Sequence, residues 1–309
     1  MFSRSLLPIL ACTMLAAGCA STPPAAQPET PPTELYSGQP PAVHATEFPV
    51  TSWSEGMQRG DEAWRAGKLE LAIYLYVQTL QFDPNDATLL RKIGAIHEHL
   101  GNRPLARRAF EMALTRGGPD AATMERLGLI YLQDGDDEHA LKLLSRSVGL
   151  DRQRWRAHDG LGVLADRRRD YSEAAEHYDM ALRFEPRAAA VFNNRGYSRY
   201  LRGDLKGAES DLRESLRLSP SPRAWINLGT VQAKARQYGA AFKTFLETLD
   251  EAHAFNAVGE GALSNGDHQI ARTYFEKATS ASPTYFEEAQ KNLTLAKEAL
   301  AGRGPGSGS

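Results

Sequence analysis

Reactive side chains are scarce in this sequence, and their types exclude most kinds of catalytic site. The only two cysteines are Cys12 and Cys19, so the chain from residue 20 onward has no thiol for a disulfide, a zinc site or a nucleophile. His97 and His99 are two residues apart in a helical pattern, which points them to different faces and does not suit a metal ion. Motifs of serine hydrolases, phosphate-binding loops, zinc proteases and dinucleotide-binding domains do not occur. We therefore predict a chain that is not an enzyme and that uses no metal, cofactor or small-molecule substrate.

The chemistry that remains is acylation of a cysteine near the N-terminus. Residues 1–18 combine one positive charge, Arg4, with an apolar run from Leu6 to Ala17. This composition is typical of a secretory signal peptide and is too short to span a membrane. The residues Leu15-Ala16-Ala17-Gly18-Cys19 resemble a bacterial lipobox. That resemblance implies removal of residues 1–18 and attachment of a lipid to Cys19.

The residues after Cys19 bear on which membrane would hold that lipid. Ala20 and Ser21 follow it, without the aspartate that marks retention in the inner membrane. The resemblance therefore implies an outer-membrane lipoprotein of the bacterial cell envelope that faces the periplasm. Ordinary signal cleavage, which would release a soluble periplasmic protein, is the alternative.

Residues 19–52 are rich in proline and poor in large apolar side chains. Such a composition cannot form a core and predicts a disordered, extended tether. A tether of this length would reach on the order of 90 to 100 Å at about 3.1 Å per residue. The Gly- and Ser-rich residues 301–309 are likewise predicted to be disordered.

Between these segments, small residues recur at a fixed spacing of mostly 34 residues. One series is formed by Gly60, Gly94, Gly128, Gly162, Gly196, Gly229 and Gly259. A second series keeps the same spacings and is formed by Ala72, Ala106, Ala140, Ala174, Ala208, Ala241 and Ala271. Two series in step indicate repeated pairs of helices that cross closely where side chains are small.

This period and these small residues resemble the tetratricopeptide repeat (TPR). The resemblance implies an all-α fold, a right-handed α-solenoid of seven TPR helix pairs over residues 53–300. Repeats are expected to start near residues 53, 87, 121, 155, 189, 222 and 252, with a capping helix at 286–300. Most first helices end at a glycine suited to a left-handed cap. Because repeats four and six carry Arg169 and Arg236 there, we expect less regular turns in those two repeats.

In arrays of this kind the first helices of successive pairs line an inner groove. The positions that face it predict an apolar centre formed by Leu129, Leu132, Val163, Tyr197 and Tyr200. Its polar rim is predicted to consist of Arg156, Asp159, Asp166 and Asn193. An apolar patch with a polar rim is typical of a site for a protein partner. Contact of some of these residues with neighbouring helices is the alternative.

Four asparagines recur at adjacent places in the last three repeats, namely Asn193, Asn194, Asn227 and Asn256. Side-chain amides along a groove can pair with both the N–H and C=O groups of an extended peptide. Capping or hydrogen bonding between repeats is the other interpretation of the same pattern.

Charge and local motifs narrow the class of partner. With 36 basic and 38 acidic residues the chain offers no basic surface for nucleic acid, so we expect a protein partner. The openings Asn193-Asn194-Arg195-Gly196-Tyr197 and Trp225-Ile226-Asn227-Leu228-Gly229, followed by a contracted 30-residue unit, are similar to the TadD family of Tad (Flp) pilus assembly lipoproteins. The resemblance implies an accessory protein that assists the pilus secretin or another Tad assembly component. A type IVa pilus pilotin, and an envelope adaptor that recruits peptidoglycan hydrolases or a protease, are the alternatives.

Overall fold

The computed structural model describes residues 33–36 and 50–302. The predicted signal peptide, the lipid site at Cys19, most of the predicted tether and the tail from residue 303 lie outside the described residues. Within the described part, fifteen α-helices follow one another and no strand occurs.

The helices form seven consecutive antiparallel pairs and one C-terminal helix. In chain order they are α1 (Trp53–Arg65), α2 (Leu69–Thr79), α3 (Ala87–His99), α4 (Arg103–Gly117), α5 (Ala121–Asp134), α6 (Asp137–Leu150), α7 (Trp155–Arg167), α8 (Tyr171–Phe184), α9 (Ala189–Leu201), α10 (Leu205–Leu218), α11 (Pro222–Lys234), α12 (Tyr238–Phe245), α13 (Glu251–Ser264), α14 (His268–Ala281) and α15 (Glu287–Ala301). Each odd-numbered helix from α1 to α13 packs on the next helix, and α15 covers α14. The predicted all-α solenoid of helix pairs is confirmed.

Each pair is held at a crossing where a glycine of the first helix meets a large side chain of the second. In the fourth pair, a Cβ atom placed on Gly162 would lie 2.6 Å from the ring of Tyr178. Ala174 is fully buried at the same crossing, and the Tyr178 hydroxyl donates a 2.8 Å hydrogen bond to Asp166. The glycine series therefore exists because the second helix lies too close for any side chain.

The turns between paired helices correct one prediction. The glycines Gly67, Gly101, Gly135, Gly203 and Gly266 have φ between 71° and 89°. Arg169 and Arg236 adopt the same left-handed conformation, with φ of 61° and 63°. Arg169 N–H bonds to the Asp166 carbonyl and Asp170 N–H bonds to the Ala165 carbonyl, both at 2.9 Å, as in the glycine turns. The expectation of less regular turns is wrong, because these bonds hold a side-chain residue in a conformation that costs it about 1–2 kcal/mol.

The sixth repeat is shorter than the others because its second helix, α12, has only eight residues. The short helix brings α13 close to α11. A Cβ atom on Gly261 of α13 would lie 2.5 Å from the Cβ of Ala233 in α11. The contraction therefore tightens the inner side of the array at its C-terminal end.

Part of the predicted tether is ordered against the array. Thr33–Leu35 forms a 3-10 turn whose Leu35 side chain is 0% exposed. Val50 is also buried, and its carbonyl accepts a 3.3 Å hydrogen bond from Gln81 Nε2. The prediction of disorder throughout residues 19–52 is wrong for these residues, because each leucine or valine finds an apolar cleft.

Candidate functional site in the groove of the first helices

Hydrogen bonds connect the first helices of neighbouring pairs side by side. Ser198 Oγ of α9 donates to Asp166 Oδ1 of α7 at 2.6 Å. Asn194 Nδ2 of α9 donates to both carboxylate oxygens of Asp159 in α7, at 3.0 and 3.2 Å. These bonds place α7 and α9 in one continuous surface that faces the groove.

The predicted apolar centre divides into exposed and buried members. Tyr197 is 41% exposed, and its ring centroid lies 5.8 Å from that of half-buried Tyr200. Leu129 and Val163 are half-buried, and both pack in one cluster with Leu132. Leu132 is only 8% exposed, so its prediction as a groove contact is wrong. The sequence pattern missed this because Gly160 of α7 leaves a space that the leucines of α5 fill.

A groove residue that the sequence did not single out lies beside the tyrosine pair. Ile226 of α11 is 38% exposed and lines a cavity of about 310 Å³ together with Tyr200 and Thr230. Lys234 and Glu260 provide charged groups in the same cavity. The signal that could have found this site is the contraction of the sixth repeat, which sets α11 against α13.

The asparagines hydrogen-bond mainly to one another and to acidic side chains. Asn227 Nδ2 donates to Asn193 Oδ1 at 2.9 Å, and Asn193 Nδ2 donates to Asn194 Oδ1 at 3.3 Å. Asn256 Nδ2 donates to Glu260 Oε1 at 3.0 Å. Asn193 and Asn256 are also buried. Their amides join neighbouring repeats and are not free for a peptide backbone, so the predicted role in peptide binding is wrong for these two buried residues.

The charged rim contains one unusual carboxyl group. Burial raises the pKa of Asp159 to about 6, although the Asn194 hydrogen bonds and Arg223 act in the opposite direction. Burial also raises the pKa of Asp166, against the hydrogen bonds from Ser198 and Tyr178. Arg156 is exposed and stacks its guanidinium on the Trp155 ring at 4.3 Å. Perturbed carboxyl groups in a concave surface are common at functional sites.

Within residues 33–36 and 50–302, no group of three or more His, Cys, Asp or Glu side chains could hold a metal ion. Across the same part of the chain, no helix combines the length and apolar character that crossing a bilayer requires. The groove offers apolar and hydrogen-bonding contacts, which suit recognition of a polypeptide.

Two family models described as the tetratricopeptide repeat match the chain. One matches the overlapping ranges 57–122, 100–154, 126–191, 160–221 and 193–257. The other matches residues 252–285. Together the matches cover the seven helix pairs.

The chain is also similar to known proteins of different origin. It is 24% identical over 283 residues to the BBSome complex member bbs-4 of Caenorhabditis elegans, covering 81% of this chain and 61% of that protein. The chain therefore spans less than two thirds of this relative. A tetratricopeptide repeat protein from Parabacteroides merdae is similar in structure, with a TM-score of 0.56 and 17% identity over 79% of this chain and 98% of that one. The Cut9-Hcn1 hetero-tetramer of the APC/C contains a chain with a TM-score of 0.57 and 18% identity, covering 79% of this chain and 48% of that one. At these identities the two structures show a shared fold.

Proposed function

Because this chain belongs to the tetratricopeptide repeat family and is a scaffold for protein–protein interaction, we propose that its groove binds a partner segment across α7, α9, α11 and α13. The observation that carries the proposal is the open apolar surface at the tight C-terminal end of the groove. Tyr197, Tyr200 and Ile226 form this surface beside the 310 Å³ cavity. We call these three residues the apolar anchor surface.

The contacts available define the kind of segment that fits. A large apolar side chain of the partner would fill the cavity against Tyr200 and Ile226, and exposed aromatic rings give much contact area at low entropic cost. Asp159 lies two helices away and accepts hydrogen bonds from Asn194. A cationic partner group near this carboxylate would favour its charged form and offset the burial that raises its pKa. We therefore expect an apolar segment with a basic residue towards α7.

Photo-crosslinking in living cells tests the groove directly. A benzoylphenylalanine placed at Ile226 should capture a partner protein, because this side chain is exposed at the cavity. The matched control is Leu141 of α6, which is 37% exposed on a second helix. Capture of the same partner at both positions, or at neither, would remove the groove from consideration.

The cellular role that we propose is assembly or localisation of the Tad (Flp) pilus secretin at the outer membrane. The lipobox at Cys19 and the TadD-like residues of the C-terminal repeats support this role. In this proposal the lipid holds the chain at the outer membrane, and the groove holds a segment of the secretin or of another Tad component.

Variants of the anchor surface test this role. Tyr197→Ala with Tyr200→Ala should lower secretin multimers and surface pili without changing the abundance of the protein, because aromatic groups often contribute about 2 kcal/mol or more each to binding. Leu141→Ala should leave both measures unchanged. Normal pili in the double variant would remove the groove from this role. Normal pili in a full deletion would overturn the pilus role and favour an adaptor for peptidoglycan hydrolases or a protease.

A further inference from the structure

Residues 33–36 occupy a cleft on the side of the array formed by second helices. The 3-10 turn Thr33–Leu35 contacts α2 and α4, the second helices of the first two pairs, whereas first helices line the groove. The Leu35 side chain is fully buried in one apolar cluster with Ile73 of α2 and Ala109 of α4. The cleft is therefore a binding site that the chain fills with a segment from outside its own repeats.

Consecutive residues of the segment make different kinds of contact. The Leu35 carbonyl accepts a 2.8 Å hydrogen bond from Nε2 of His97, a buried residue 62 positions away. The Tyr36 ring lies 5.5 Å from the Tyr74 ring. A carboxylate oxygen of Glu34 lies 3.9 Å from Arg108. An apolar, an aromatic and a charged contact in three successive residues specify both the position and the direction of the segment.

His97 shows that the cleft is built around this occupant. Because its Nε2 donates to the Leu35 carbonyl, its Nδ1 carries a lone pair, and that buried atom has no partner among the described residues. Without the segment, the Nε2–H group would lose its acceptor too. A buried histidine with neither nitrogen bonded is costly, so the array itself favours the docked segment.

We propose that residues 34–36 and this cleft form a latch that sets the working length of the tether between Cys19 and the array. This inference rests on the proposed lipid at Cys19. With the latch docked, only residues 20–32 separate Cys19 from the array, and thirteen residues reach at most about 40 Å. With the latch released, the tether extends to Val50, and its 31 residues reach roughly 100 Å.

The latch is strong enough to dominate and weak enough to open. Burial of one leucine side chain changes a docked-to-released ratio by on the order of tenfold to a hundredfold. Only thirteen residues separate Tyr36 from Val50, and a short link keeps a segment at millimolar effective concentration near its site. A partner that displaces the segment would lengthen the tether by about 60 Å.

Distances between two spin labels test docking without any membrane. The full chain with Cys12→Ser and Cys19→Ser has no native thiol, so labels can be attached at Thr30→Cys and at Ser145→Cys on exposed α6. We expect a narrow distance distribution that Leu35→Asp broadens and shifts to longer values. Thr33→Ala is the matched control, since Thr33 is exposed in the same turn, and it should leave the distribution narrow. A distribution that is broad in the parent, or unchanged by Leu35→Asp, would overturn the latch.

Two further measurements separate the latch from its neighbours. Mixing chains that carry one label each tests whether a second copy fills the cleft, and a narrow intermolecular distance would overturn the assignment to the chain's own segment. In the lipidated protein, energy transfer from a dye at Ser145→Cys to the bilayer should fall in Leu35→Asp. Unchanged transfer in a membrane-bound variant would overturn the length-setting role. Failure of lipidation would instead refute the anchor at Cys19, while the spin-label result would still decide the docking.

Discussion

A methyl group on Gly162 would collide with a ring that has little room to move. The added Cβ atom would lie 2.6, 2.8 and 2.9 Å from three atoms of the Tyr178 ring, well inside the 3.5 to 4.0 Å of ordinary carbon contacts. Tyr178 is 1% exposed, and its hydroxyl is bonded to Asp166 at 2.8 Å. Gly162→Ala therefore forces either the ring or the whole of α8 to shift.

The magnitude follows from two opposing effects. Alanine is favoured over glycine inside a helix by about 1 kcal/mol. Overpacking of a close-packed site costs about 1–3 kcal/mol or more, and loss of the Tyr178 hydrogen bond adds about 1 kcal/mol. We expect a net loss of about 2 kcal/mol. Gly149→Ala is the matched control, because Gly149 lies in α6 with no atom within 4 Å of the added Cβ. It should raise stability by up to about 1 kcal/mol.

Urea unfolding followed by circular dichroism, together with hydrogen exchange, measures the effect. Repeats pack only on their neighbours, so weakening the fourth pair uncouples the two ends of the array. The transition of Gly162→Ala should broaden, and the amides of α7 and α8 should exchange faster than those of α3 and α4. If Gly162→Ala is as stable as Gly149→Ala, the close crossing of α7 on α8 is refuted.

Three other changes have expected outcomes. Cys19→Ser should move the protein from membranes to the soluble periplasmic fraction, and retention after carbonate extraction would contradict the lipid assignment. Asp159→Asn should stabilise the fold by about 1–3 kcal/mol at pH 7.5, because burial raises the carboxyl pKa to about 6 while an amide oxygen can still accept from Asn194; the gain should shrink below pH 6 and vanish near pH 4, as urea midpoints would show. His158 and His177 share a 3.2 Å bond between their Nδ1 atoms, and burial lowers the pKa of both, so the folded state should lose stability as the pH falls through about 6.5; His177→Gln should flatten that dependence, and an unchanged slope would exclude the pair as its source.

The repeat pattern carries the architecture of this protein because close crossings admit only small residues. The 34-residue spacing of the glycine and alanine series places a crossing in every pair, and the helices of each pair lie on either side of it. The absence of thiols from residue 20 onward and the balanced charge are likewise properties of the sequence alone. These features are local or periodic, and a periodic requirement is visible in a single chain.

Tertiary structure decided which groove positions are open, because each depends on a side chain one repeat away. Leu132 is buried since Gly160 of the next repeat leaves room for it, whereas Tyr197 remains exposed. Asn193 has the type expected of a peptide ligand, yet its oxygen is taken by Asn227, 34 positions further on. No local pattern distinguishes these cases.

Contacts between distant parts of the chain were equally beyond the sequence. Arg169 holds the left-handed turn that its neighbours make with glycine, because the bonds of that turn outweigh the strain. Leu35 lies in a proline-rich stretch typical of disorder, and only the cleft between α2 and α4, with His97 beside it, gives it a fixed place. Composition predicts whether a segment can form its own core, but whether another part of the molecule offers it one is decided by the folded surface.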